Sequence, residues 1–143
     1  MAASAHEDEP HIEKKLKHLE FIQGTINRMA NTSFLLKGWS ITVVAGLFAL
    51  GVDKHEKKIL AMALAFSVVF WFLDAYFLWQ ERLFRDLYDK IRKKDADKID
   101  FSMNTMHLHT HKWYGTPFSV TLLPFYGATV VIIILFIANA LRH

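Results

Sequence analysis

Two charged residues stand inside otherwise apolar sequence. Asp74 lies in FWFLDAYFLW and Lys37 in SFLLKGWS. An ionisable group in such surroundings is costly unless protein or water partners it. If the two segments are antiparallel helices joined by a short turn, both charges fall at the same depth. The expectation is therefore a Lys37–Asp74 ion pair, made within one chain or between adjacent subunits. The alternative is that Lys37 snorkels to the surface and a hydroxyl, from Ser40, Tyr76 or another residue, holds Asp74. A second group with chemical capacity is HLHTH, where His107, His109 and His111 alternate with other residues. In a strand the three imidazoles share a face and suit a divalent metal; in a helix they do not converge. They also titrate near neutrality, which suits a pH sensor.

No catalytic constellation accompanies these residues. The chain has no Gly-rich phosphate loop, no HExxH and no Ser or Cys nucleophile motif, so neither an enzyme nor a cofactor is expected. Cysteine is absent, which removes disulfide and Zn-thiolate chemistry. No nucleic-acid module is present, so no specific nucleic-acid partner is expected.

The elements that must position Lys37 and Asp74 follow from hydropathy. Hydrophobic residues make up 52% of the 143 residues, more than soluble domains usually carry, and they cluster in three blocks. These are residues 34–52, 59–79 and 118–141. A helix rises about 1.5 Å per residue, so each block is long enough to cross a hydrocarbon core of about 30 Å. The expected fold is all-α, an integral membrane domain with three transmembrane helices. Pro117 suits the start of the third span, and Pro124 is expected to kink it. In the first span Gly38, Thr42, Ala45 and Ala49 fall near one face, which lets a neighbouring backbone approach closely.

Basic residues set the expected orientation. Lys14, Lys15, Lys17 and Arg28 precede the first span, and Arg82, Arg85, Lys90, Arg92, Lys93, Lys94, Lys98 and Lys112 follow the second. Both sets are expected in the cytoplasm, with the N-terminus inside and the C-terminus outside. The DKHEKK turn at 53–58 opposes this rule but is short. Trp39, Trp79, Trp113 and Tyr114 fit interfacial anchors.

Residues 1–10 are acidic and polar, lack signal-peptide character, and are expected to be a disordered tail. Residues 11–30 repeat apolar positions at spacings of 3 or 4: Ile12, Leu16, Leu19, Ile22, Ile26 and Met29. This predicts an amphipathic helix, on the membrane surface or in a bundle. A partner stripe exists, because the second span continues through residues 80–94 with Leu83, Phe84, Leu87, Tyr88 and Ile91 on one face. Leu16, Leu19, Ile26, Leu83, Leu87 and Ile91 are the expected partner or oligomer contacts. Residues 95–116 are expected to form a loop.

The stretches INRMANTSFLLKGWS and FLDAYFLWQERLFRDLYDKIR resemble, in architecture, the RipA-like oligomeric small bacterial membrane proteins. They are similar also to membrane accessory proteins of antiphage systems. The resemblance covers residues 11 to 94, and the third span departs from its hairpin-only plan. It implies a bacterial inner-membrane oligomer that acts as an effector of antiphage defence.

Three helices enclose no lumen, and the intramembrane polar side chains need company, so a homo-oligomer in the lipid bilayer is expected. The leading functional expectation is a pore or membrane-perturbing effector gated by its cytoplasmic helices. The alternatives are a non-conducting anchor for a cytoplasmic protein partner, and a small ion-coupled transporter using Asp74.

Overall fold

The computed structural model describes the backbone of residues 3–53, 56–108 and 112–142, and the side chains of 9–53, 56–108 and 112–139. Three helices, α1 (Ala3–Asp53), α2 (Lys57–Arg92) and α3 (Leu122–Arg142), make up the fold, with no strand among the described residues. Short 3-10 turns occupy Ala96–Lys98 and Trp113–Phe118. Each helix contains a stretch long and apolar enough to cross a membrane. The chain thus has the make-up of a multi-pass membrane protein.

α1 is one continuous helix where two elements and a disordered tail were expected. Asn31-Thr32-Ser33 looks like a cap, yet it contains no Gly or Pro, and the Thr32 hydroxyl donates back to the Arg28 carbonyl at 2.9 Å. The helix starts at Ala3, within the stretch expected to be a tail. Ala3 and Ala5 favour helix there.

α1 and α2 form an antiparallel hairpin, and α3 packs on α2. At the hairpin turn the Glu56 N–H donates to the Gly51 carbonyl at 3.0 Å. A Cβ on Gly51 would stand 2.7 Å from Cδ2 and 3.1 Å from the backbone nitrogen of Leu60, itself buried. This is the close approach of α1 to its partner. The expected small-residue face is elsewhere: Gly38, Thr42, Ala45 and Ala49 lie on the exposed outside of the hairpin. Gly51→Ala is expected to splay the turn and cost about 1–3 kcal/mol, read as a lower unfolding midpoint in detergent. Gly46→Ala, which meets open space, serves as its neutral control.

The third span begins later than expected. Pro117 sits inside the 3-10 turn rather than at a helix start. Pro124 cannot donate to the Val120 carbonyl, so the regular ladder starts at Leu122. The turn before it is held by the Leu122 and Leu123 N–H groups on the Ser119 carbonyl, at 3.2 and 3.0 Å. Pro124 therefore lies in the first turn of α3 and marks its start instead of kinking its interior.

Three apolar clusters stack along the bundle. Val44, Ala63 and Ile133 join all three helices near the α1–α2 turn. Ala75, Leu122 and Tyr126 join α2 to α3. In the charged layer Ile22, Ile26, Leu87, Ile91 and Ile99 pack together, flanked by Leu19, Phe84 and Tyr88. Of the expected partner contacts, Leu19, Ile26, Leu83, Leu87 and Ile91 thus face the chain's own interior, and Leu16 stays exposed. The α1 stripe takes in His18 and leaves Ile12 and Leu16 outside. Lys15 closes the far end of α2, its Nζ donating to the Arg92 and Lys94 carbonyls at 3.2 and 2.6 Å.

Candidate functional site

Asp74 faces the seam where all three helices meet and is completely buried. Antiparallel packing of α1 on α2 brings Ser33 and Lys37, one turn apart, opposite it. Lys37 Nζ lies 2.6 Å from Asp74 Oδ2, so the expected ion pair forms within one chain. Lys37 also donates to the Ser33 hydroxyl at 2.9 Å, and that hydroxyl donates to Asp74 Oδ1. From α3 the Tyr126 hydroxyl, likewise buried, donates to Asp74 Oδ2 at 3.1 Å. Buried Ser40 makes a side-chain hydrogen bond to Tyr126.

The carboxylate therefore receives a cation and two hydroxyl donors. Each further charge-assisted bond offsets part of the cost of taking an anion out of water. Lys37 keeps 26% of its side-chain surface exposed, which fits a long stem leading from the surface to a buried anion. Chemically the group is a closed polar lock on three helices.

Tyr76 does not join. It is 44% exposed, accepts a hydrogen bond from Gln80 at 3.2 Å and packs on Phe77 and Trp79. Two residues along a helix are about 200° apart, so Tyr76 and Asp74 face opposite ways. Ser40 belongs to the network through Tyr126. Sequence reasoning missed Ser33, one turn before Lys37, and Tyr126, the sole tyrosine of the third span. Tyr126→Phe is expected to cost about 1 kcal/mol and to loosen α3 from α2. Faster exchange of α3 amides in nanodiscs, with α1 unchanged, would report it.

Aromatic packing fixes α3 beside the network. Trp71 stacks on Tyr126 with ring centres 6.2 Å apart, and its indole N–H donates to the Pro117 carbonyl at 2.9 Å. Trp113 stacks on Phe72 and Lys112 lies 5.8 Å over the Tyr114 ring, while Trp39 is exposed. His107 is exposed, but His109 and His111 lie outside the described residues, so the geometry of that trio is not described.

Comparison with protein-family models, curated proteins and solved structures finds no match.

Proposed function

We propose that this chain is a non-conducting membrane scaffold, self-associating in the bilayer, that presents a helical hairpin to the cytoplasm as an interaction surface. The observation that carries the reading is the closure of the polar network within one chain. A pore assembled from several copies needs intramembrane polar side chains free to line an axis. Here Asp74, Ser40 and Ser33 are covered by the chain's own helices. A carrier that uses Asp74 needs a route to it, and the carboxylate has no exposed surface.

Self-association draws support from the outer face of α1. Phe21, Gly24, Arg28, Leu35, Gly38, Thr42, Ala45 and Ala49 recur at spacings of 3, 4 or 7 along one exposed stripe. Small residues in its membrane part permit close helix contact, and Phe21 is 72% exposed in its charged part. Placement of basic residues supports an N-terminus inside and a C-terminus outside. A bacterial inner membrane is the location the architectural resemblance favours.

Reconstitution tests the reading. Liposomes holding the protein are expected to leak ions no faster than empty ones, while its mass in nanodiscs exceeds one chain. Paired substitutions Gly38→Leu and Ala45→Leu are expected to reduce that mass toward a single chain. Ion flux that Asp74→Asn abolishes would overturn the reading in favour of a conducting assembly.

A further inference from the structure

His18 is the one titratable imidazole among the described residues that the fold buries, at 6% exposure. It sits on α1 in the charged layer, outside the 34–52 span and one turn from Ile22. Its Nε2 is covered and has no hydrogen-bond partner. The loop after α2 lies against its ring. Phe101 meets the imidazole edge-on, with ring centres 5.5 Å apart. Phe101 also has φ of +46°, a left-handed conformation that bulky residues avoid. Ile99, two residues earlier, is buried in the cluster of Ile22, Ile26, Leu87 and Ile91. The loop thus holds a strained backbone in place through two apolar contacts, one of them on a titratable ring.

We propose that His18 and Phe101 form an acid-released latch holding residues 99–103 against α1 and α2. The neutral ring tolerates a covered Nε2, whereas an imidazolium carries a charged N–H there that needs water or an acceptor. Satisfying that donor requires Phe101 to leave. Its departure frees the strained φ and withdraws Ile99, which uncovers the α1–α2 seam. Several groups face the ring. Asp100, from the loop, favours the charged form. Lys14, Lys17, Glu20 and Arg28 of α1 border the two grooves beside it. From α2, Tyr88 packs against the neighbouring cluster. Burial pushes the imidazole below its usual 6.5, with Asp100 opposing. A depressed histidine favours the closed form above its open-state value and loses that preference as pH falls below it. The latch stands whether or not the hairpin binds a partner.

Hydrogen exchange of the full chain in nanodiscs tests it, on peptides covering residues 98–106 and corrected for intrinsic rates. Opening is expected to rise about tenfold per pH unit as pH falls below about 6.5, levelling off at the closed-state value. His18→Phe is expected to stay closed at both ends of the range. Asp100→Asn, which can still accept from the Ser102 N–H, is expected to leave the onset in place and to move the levelling-off to lower pH, since Asp100 favours the charged ring in the closed form. If His18→Phe lowers helicity, His18→Leu gives the same uncharged comparison. Unchanged wild-type protection down to pH about 5, or an equal pH response in the uncharged variant, overturns the latch.

Discussion

Asp74→Asn is expected to destabilise the folded bundle strongly, and Lys37→Met to do the same. The double variant is expected to lose much less than the two losses combined. Removing one partner of a buried ion pair leaves the other unpaired and costs about 3–5 kcal/mol, whereas replacing both is often close to neutral. The lower end suits Asp74→Asn, because Lys37 is partly exposed and can reach the surface. Lys37→Met leaves the carboxylate with the Ser33 and Tyr126 hydroxyls alone. A coupling energy of about 2 kcal/mol or more, from unfolding in bicelles, would match the geometry. Losses that simply add would mean that the two residues do not act as a pair.

Ile22→Ala is expected to have the next largest effect, and its location is informative. Ile22 has no exposed surface and sits at the centre of the charged-layer cluster. Truncation there loses both transfer free energy and packing, about 2–5 kcal/mol. Within lipid the transfer part vanishes, since acyl chains are as apolar as the side chain. The same truncation at Ile133, in the cluster near the α1–α2 turn, is therefore expected to cost less. Hydrogen exchange should rise through residues 15–30 and 83–92 in Ile22→Ala and remain slow in the spans. Equal penalties at the two sites would place the charged layer and the spans in similar solvents.

Much of this arrangement was legible in the sequence, for identifiable reasons. Three long apolar blocks, two of them holding a single charge, define three helices by length. The Lys37–Asp74 pair follows from equal depth in antiparallel neighbours. The stripe on residues 83–91 predicts packing against α1, and the two do pack. What failed to show was rotation. The third span is apolar all round, so nothing in its pattern says which face meets α2, and Tyr126 stayed hidden. Tyr76 was legible and misread, because its offset from Asp74 already puts it on the opposite face. The break expected between residues 30 and 34 did not occur: inside the continuous helix the Thr32 hydroxyl turns to the backbone and that of Ser33 to a buried carboxylate. His18 escaped notice because the apolar stripe could be drawn without it.

The central claim is that the polar lock around Asp74 closes inside a single chain. Absence of native cysteine gives a clean background for testing it. Phe48→Cys combined with Phe136→Cys places thiols on α1 and α3 where the two rings meet, their centres 4.9 Å apart, and leaves every member of the lock in place. Treated in nanodiscs with a short bis-maleimide, the doubly substituted protein is predicted to run as a cross-linked single chain. Cross-linking between chains, with no internal bridge, would contradict the account.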